Sequence, residues 1–176
     1  MLYTRKGDKG MTGTFGCDQK MSKSSTIAEA LGTLDEINSF LGVCKVLSRD
    51  LKTEEIINEV QQNLFIVQAE LAGSDKTIDE EKVKEVEEII DGIEKELPPI
   101  KTFFVSGGTE LASSFDFART LARRAERRVV AVVEEGEVKV GEQTLAYLNR
   151  LSSLLYALAR LSNKNFGITE QSPTYR

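Results

Sequence analysis

The sequence contains no histidine. That excludes Ser–His and Cys–His catalytic pairs, HExxH zinc sites and the EXXH di-iron sites of some helical bundles. Cysteine is almost as scarce. Cys17 and Cys44 are the only two, which suits neither a disulfide framework nor a zinc site. Proline occurs only at Pro98, Pro99 and Pro173, so helices can run long between them. Apolar runs of membrane-spanning length are missing, as is a signal-type apolar core at the N-terminus, so a cytoplasmic protein without a membrane partner is expected. Basic excess is missing too. A net charge of −5 argues against nucleic acid as the main partner. Any anion bound here must meet a local concentration of Lys and Arg.

What is present is helical pattern. The 176 residues suffice for one domain with a sizeable core. Apolar positions Ile27, Leu31, Leu34, Ile37, Leu41 and Val43 fall near helical spacing and predict a helix from about Thr26 to Leu47. "TEEIINEVQQNLFIVQAELAG" predicts a second, with Thr53 as N-cap and Gly73 as its stop. "DEEKVKEVEEIIDGIEKEL" predicts a third, opening with acids and ending at the double proline. "IKTFFVSGG" reads as a loop. Thr109 then caps a fourth helix that ends near Gly136, and a fifth spans about Glu142 to Lys164. With no convincing strand pattern, the expectation is an all-α, five-helix up-and-down bundle in a single domain covering 1–176. Residues 26–164 account for the bundle. The glycine-rich segment 1–25 and the tail 165–176 are left over, and are candidates for the site.

Two stretches carry chemistry. In "ARTLARRAERRVV", Arg119, Arg123 and Arg127 are four residues apart and form a row on one helix face, with Arg124 and Arg128 beside them. Five arginines against the single Glu126 make this the basic spot of an acidic chain. The row reads either as an ion-paired, solvated face or as a site for polyphosphate or carboxylate, to which guanidinium forks are suited. The opening "YTRKGDKGMTGTFG" reads either as a tight turn in a short hairpin or as a nest of backbone N–H groups that binds an anion. It is not a Walker A loop, because GxxxxGK[ST] is absent. Asp35 is a partner for one of the arginines or a surface acid. Asn149, between Leu148 and Leu151, either cross-links helices or reads the polar edge of a base or ribose.

Four blocks, "YTRKGDKGMTGTFG", "EALGTLDEINSFLG" after Lys23, "FFVSGGTELASSFDFARTLARRAERRVV" and "YLNRLSSLLYALAR", resemble in order and spacing the PduO-type ATP:cobalamin adenosyltransferases. The resemblance spans nearly the whole chain, and the third block is the most specific. It implies a homotrimer with a site at each subunit interface. The activity it implies is transfer of the 5′-deoxyadenosyl group of ATP to cob(I)alamin, with triphosphate released and Mg2+ as the cation. It further implies an external reductase and an adenosylcobalamin-dependent enzyme as partners.

Carried over by position, the ATP site comprises Thr4, Arg5, Lys6, Gly7, Asp8, Gly10, Thr12, Gly13 and Lys23. Arg123, Arg124, Glu126, Arg127 and Asn149 complete it. Asp35 and Arg119 resemble the family's interface ion pair. Phe103 resembles the aromatic that shields the lower corrin face, and Tyr175 a position that closes over the site. The catalytic set so implied is Arg119, Arg123, Asp35 and Phe103, with no metal ligand assigned. The chain departs from the family at Ser106, where Pro is usual, at Ser153 and Asp116, where Asp and His are usual, and at Ile27 and Leu31. Two rival readings are a non-catalytic nucleotide- or corrinoid-binding bundle acting as sensor or carrier, and an interaction bundle with no small-molecule site.

Overall fold

In the computed structural model, residues 3–14, 20–136 and 138–175 are described; Cys17 and the end of the glycine-rich strip lie outside them. Five helices carry the fold: α1 Thr26–Leu47, α2 Leu51–Leu71, α3 Glu80–Glu96, α4 Glu110–Glu135 and α5 Glu142–Asn165. Their ends follow local chemistry. Ser25, Asp79 and Thr109 each turn a side-chain oxygen onto an orphan amide of the first turn. Gly136 closes α4 in the left-handed region at φ 73°, and Gly73, at φ 89°, ends α2 as expected. The start of α2 differs from expectation. Asp50, not Thr53, is the cap, and its Oδ2 accepts from both the Thr53 amide (3.0 Å) and the Thr53 hydroxyl (2.7 Å). Both residue types can cap; the earlier one wins because Leu51 and Lys52 extend the helix by a turn.

A short antiparallel hairpin precedes the bundle, β1 Met11–Gly13 on β2 Lys20–Ser22, with Thr12 opposite Met21. Three-residue strands are too brief to show a period of two, so only the glycine-rich turn chemistry of the opening strip, and no strand pattern, pointed to a short hairpin.

α1 packs between α2 and α4, and α5 between α4 and α3. Thr26 Oγ1 donates to Glu135 Oε1 (2.5 Å), and Phe40 meets Phe117 edge to face at 4.9 Å, so α1 and α4 run antiparallel. Arg150 pairs with Glu87 and Lys164 with Glu96, so α3 and α5 run in the same direction. Successive helices therefore alternate up and down. Because α4 returns on the far side of α5 from α3, the connection between Glu96 and Glu110 crosses the C-terminal end of α5. That crossing places the "SGG" loop over α5.

The core is lined by Leu34, Ile37 and Leu41 of α1, Leu64 and Val67 of α2, and Leu148, Leu151, Leu154 and Leu155 of α5. α4 contributes Phe115 with the small residues Ala118, Ala122 and Ala125, which let its backbone approach its neighbours closely. Truncating one of these leucines to alanine should cost about 2–5 kcal/mol. At one end of the bundle, buried Glu70 Oε1 accepts from the Gly141 amide (2.8 Å) and Thr77 Oγ1 (3.1 Å), while Oε2 accepts from Thr144 Oγ1 (2.5 Å). One carboxylate thus ties the α2–α3 and α4–α5 connections together.

Candidate active site

The α4 arginines divide by the phase of the helix. Ala118, Leu121, Ala122, Ala125 and Val129 mark the buried stripe. Arg124 and Arg128 lie on the side facing α1, where they pair with Glu36 and Glu29. Arg119, Arg123 and Arg127 lie on the opposite flank and have no carboxylate partner among the described residues. Arg127 Nη1 instead donates to the Arg123 carbonyl (3.0 Å), and Arg119 Nε is buried without a hydrogen-bond partner. Two of the five arginines are therefore ordinary ion pairs, and three form a cationic row without an ion-pair partner among the described residues. The packed stripe holds the row together despite like-charge repulsion of about a few tenths of a kcal/mol per pair.

Glu126 borders the row. Its Oε1 accepts from Asn149 Nδ2 (2.7 Å), and Asn149 Oδ1 accepts from Arg150 Nη1 (3.0 Å). Asn149 thus bridges α4 and α5 with an exposed amide and stays at the rim of the row. Asp35 stands exposed on α1 and makes no ion pair among the described residues; within one chain the acids that answer the arginines are Glu29 and Glu36.

The glycine-rich strip forms a compact turn. Arg5 adopts φ 57°, unusual for a residue with a side chain, and its guanidinium lies 5.4 Å from the Tyr3 ring centroid. The Asp8 amide returns to the Arg5 carbonyl, the Gly10 amide to Gly7, and the Lys23 amide to Gly10. Lys6 N donates to Thr4 Oγ1 (3.4 Å). Lys23 folds back over the turn, its Nζ 3.0 Å from where a Cβ on Gly7 would stand. Thr4, Arg5, Lys6, Gly7, Asp8, Gly10, Thr12, Gly13 and Lys23 are thus gathered at one end of the chain, mostly exposed. No hydrogen bond or ion pair among the described residues joins this strip to the α4 row.

Phe103 stands on the loop before α4, 79 % exposed, and Tyr175 in the tail is 86 % exposed. The loop is fixed beside the row's N-terminal end. Asp116 Oδ2 accepts from the Gly107 amide (2.9 Å), and Asn163 donates to the Gly107 carbonyl (2.8 Å) while accepting from the Thr109 amide (3.0 Å). Burial pushes the Asp116 carboxyl above its ordinary value, with the Gly107 amide and Arg119 pulling the other way. Asn163 and Arg160 were missed by the sequence reading, and Asp116 was noted there only as a departure from the family pattern. The available signal was a polar side chain set among the apolar positions of α4 and α5.

Among the described residues, no group of three or more His, Cys, Asp or Glu could hold a metal ion. Cys44 is buried in α1 with its thiol pushed up to about 12 by desolvation, which disfavours the nucleophilic thiolate. No helix among the described residues is long and apolar enough to cross a membrane.

Comparison with known proteins gives one consistent family. The family model for cobalamin adenosyltransferase matches residues 2–162. A corrinoid adenosyltransferase of Bacillus subtilis is 41 % identical over 175 residues, covering 95 % of this chain and 89 % of that protein. The PduO corrinoid adenosyltransferases of Citrobacter freundii and Salmonella typhimurium are each 40 % identical over 90 % and 93 % of this chain. The chain spans about half the length of those two relatives, 49 % and 50 %. Among solved structures, a Phe-to-Ala variant of the PduO-type ATP:corrinoid adenosyltransferase from Lactobacillus reuteri, complexed with cobalamin and ATP, superposes with a TM-score of 0.92. The identity is 32 %, and the match covers 99 % of this chain and all of that one. An Arg-to-Lys variant of the same enzyme, complexed with ATP, gives 0.89 at 34 % identity over 99 % of this chain and 100 % of that one. With five helices in the expected order and this likeness along almost its whole length, the chain belongs to the cobalamin adenosyltransferase family.

Proposed function

We propose that this protein transfers the 5′-deoxyadenosyl group of ATP to cob(I)alamin, forming adenosylcobalamin and releasing triphosphate. The observation that carries the reading is the row Arg119, Arg123 and Arg127, exposed or half-buried on α4 without carboxylate partners among the described residues. In the reaction, the cobalt electron pair forms a bond to the 5′-carbon as the bond from that carbon to the triphosphate oxygen breaks. Cob(I)alamin is itself a strong nucleophile, so no general base is required, which accords with a chain that has no histidine. The developing charge is on the leaving triphosphate. Guanidiniums held on a packed helix stabilise it without reorganising, an effect worth about 10²–10³ in rate per donor.

The Gly-rich turn and Lys23 supply further amides and a cation. Since no hydrogen bond or ion pair among the described residues joins the strip to the α4 row within one chain, a neighbouring copy bringing its own strip to this row would complete the site. In such an assembly, a homotrimer by resemblance to the family, Asp35 of one subunit would lie opposite Arg119 of the next. Phe103 would stand against the lower corrin face in place of an axial ligand, which favours a four-coordinate cobalt that an external donor can reduce. Tyr175 would close over the same site. An adenosylcobalamin-dependent enzyme would receive the product, in the cytoplasm.

A divalent cation such as Mg2+ fits this site chiefly through phosphate oxygens, for Glu126 is the only carboxylate within the row. The ion would spread phosphate charge, and Asn149 would hold the Glu126 carboxylate in place.

The test is an anaerobic spectrum of the protein with ATP, Mg2+ and chemically reduced corrinoid. Appearance of a carbon–cobalt species with stoichiometric triphosphate is expected. ATP and corrinoid bound without turnover would replace this reading with a carrier or sensor, and no ATP-dependent rise in Tm would point to an interaction bundle.

A further inference from the structure

Phe103 is an exposed aromatic on a loop, and such a ring would ordinarily fold down onto the nearest apolar surface. Its flanks prevent that. Arg160, on α5 and 4 % exposed, spans the loop and the tail at once. Its Nε donates to Glu170 Oε1 (2.8 Å) and Oε2 (3.1 Å), and its Nη2 to Glu170 Oε2 (2.9 Å). The same Nη2 donates to the Pro98 carbonyl (3.0 Å), where the loop begins. The guanidinium also lies 5.3 Å from the ring centroid of Phe104, the neighbour of Phe103. Beyond the crest, the Val105 amide donates to the Gln171 carbonyl (2.8 Å), so loop and tail are joined directly as well.

A buried ion pair seldom adds net stability over an apolar pair of the same volume, because desolvation offsets attraction. What a bidentate fork does provide is direction. Here that direction is shared between two segments that both bear residues assigned to the corrinoid. We propose that Arg160 and Glu170 form a latch that makes the loop at 97–109 and the tail one unit, positioning Phe103 and Tyr175 against the corrinoid. Both are positioning residues, and the proposal rests on the corrinoid reading above.

Two measurements test it. In amide exchange, Glu170→Gln should speed exchange at Val105 and Gly107; unchanged protection there overturns the latch. In a double-mutant cycle, Glu170→Gln should lower kcat/KM for the corrinoid about tenfold and leave KM for ATP unchanged. It should also reduce the four-coordinate cob(II)alamin signal formed with ATP bound. Once Phe103→Ala is present, Glu170→Gln should add little. Fully additive losses would show that Glu170 does not act through Phe103, and would overturn the proposal. Because Glu170→Gln leaves a buried guanidinium without its charge partner, the paired change Arg160→Met with Glu170→Met serves as the second variant. It keeps an apolar filling and should show the same loop release and corrinoid defect; wild-type values in it overturn the latch. If the wild-type protein forms no carbon–cobalt species, the corrinoid reading and the catalytic half of this proposal fall, while the exchange experiment still decides whether loop and tail are latched.

Discussion

A single methyl group at Gly108 should do more damage than one at Gly107, although both glycines sit at positive φ. Gly108 has φ 115°, where a side chain is strained by about 1–3 kcal/mol. Its added Cβ would also stand 2.7 Å from Asn163 Cγ and 2.8 Å from Nδ2. Asn163 is buried and its amide holds the Gly107 carbonyl and the Thr109 amide, so it must give up those bonds to move. Leaving such groups unsatisfied costs about 1–3 kcal/mol. Gly108→Ala should therefore destabilise by roughly 2–6 kcal/mol, strain and lost bonds together. Gly107, at φ 123°, has Ser113 Oγ at 3.9 Å as the nearest atom to an added Cβ, so Gly107→Ala should show the strain alone. At about 2–4 °C per kcal/mol for a chain of this length, Tm should fall by about 10 °C in the first variant and about half that in the second. Calorimetry with matched urea melts reads both. Equal losses would mean that Asn163 does not carry the difference, and a Gly108→Ala loss below about 1 kcal/mol would mean the loop re-forms without it.

Three further outcomes are expected. Asp116 has its folded-state pKa raised by burial, so its ionisation weighs against the fold: the penalty is absent below the unfolded carboxyl value and sets in as pH rises through the folded one. Asp116→Asn should then melt higher than wild type at pH 7, with the gap closing in acid; a gap independent of pH would refute the assignment. Arg123→Ala should cut ATP-dependent turnover about 10²–10³-fold and leave Tm nearly unchanged, whereas loss of folding would make that arginine structural. Glu70→Ala removes the acceptor for Gly141, Thr77 and Thr144 and should cost about 2–4 kcal/mol in urea melts, and a cost under 1 kcal/mol would show the end of the bundle held by other contacts.

The helices were legible because each is written locally: apolar residues at helical spacing in all five, a capping side chain just before α1 to α4, and glycine or proline just after α2 to α5. The α4 row was legible for the same reason, since Arg119, Arg123 and Arg127 share a face by spacing alone. Glu70, by contrast, finds its partners 71 and 74 residues away, and Arg160 reaches Pro98 62 residues back. No local pattern announces such pairings. What the sequence does display is the anomaly each creates, a charge inside an apolar helix face. Thr53 illustrates the reverse error. Its type suits a cap, but Asp50 stands three residues earlier and takes the position, turning Thr53 into a donor.

The division of the arginines also explains why this bundle can keep so much positive charge in one place. Arg124 and Arg128 spend their charge on Glu36 and Glu29 and so help register α1 against α4. Exposed pairs of this kind contribute only about 0–1 kcal/mol each, so the register rests mainly on the apolar stripe beneath them. That stripe, packed against α1 and α5, fixes the helix whose other flank carries Arg119, Arg123 and Arg127. The cationic row is therefore present before any anion arrives, at the expense of repulsion the core easily exceeds. A row assembled only on binding would have to order itself at the moment of reaction. One that is already fixed acts fully on charge that develops during bond breaking, and this is the form of stabilisation that a leaving triphosphate requires.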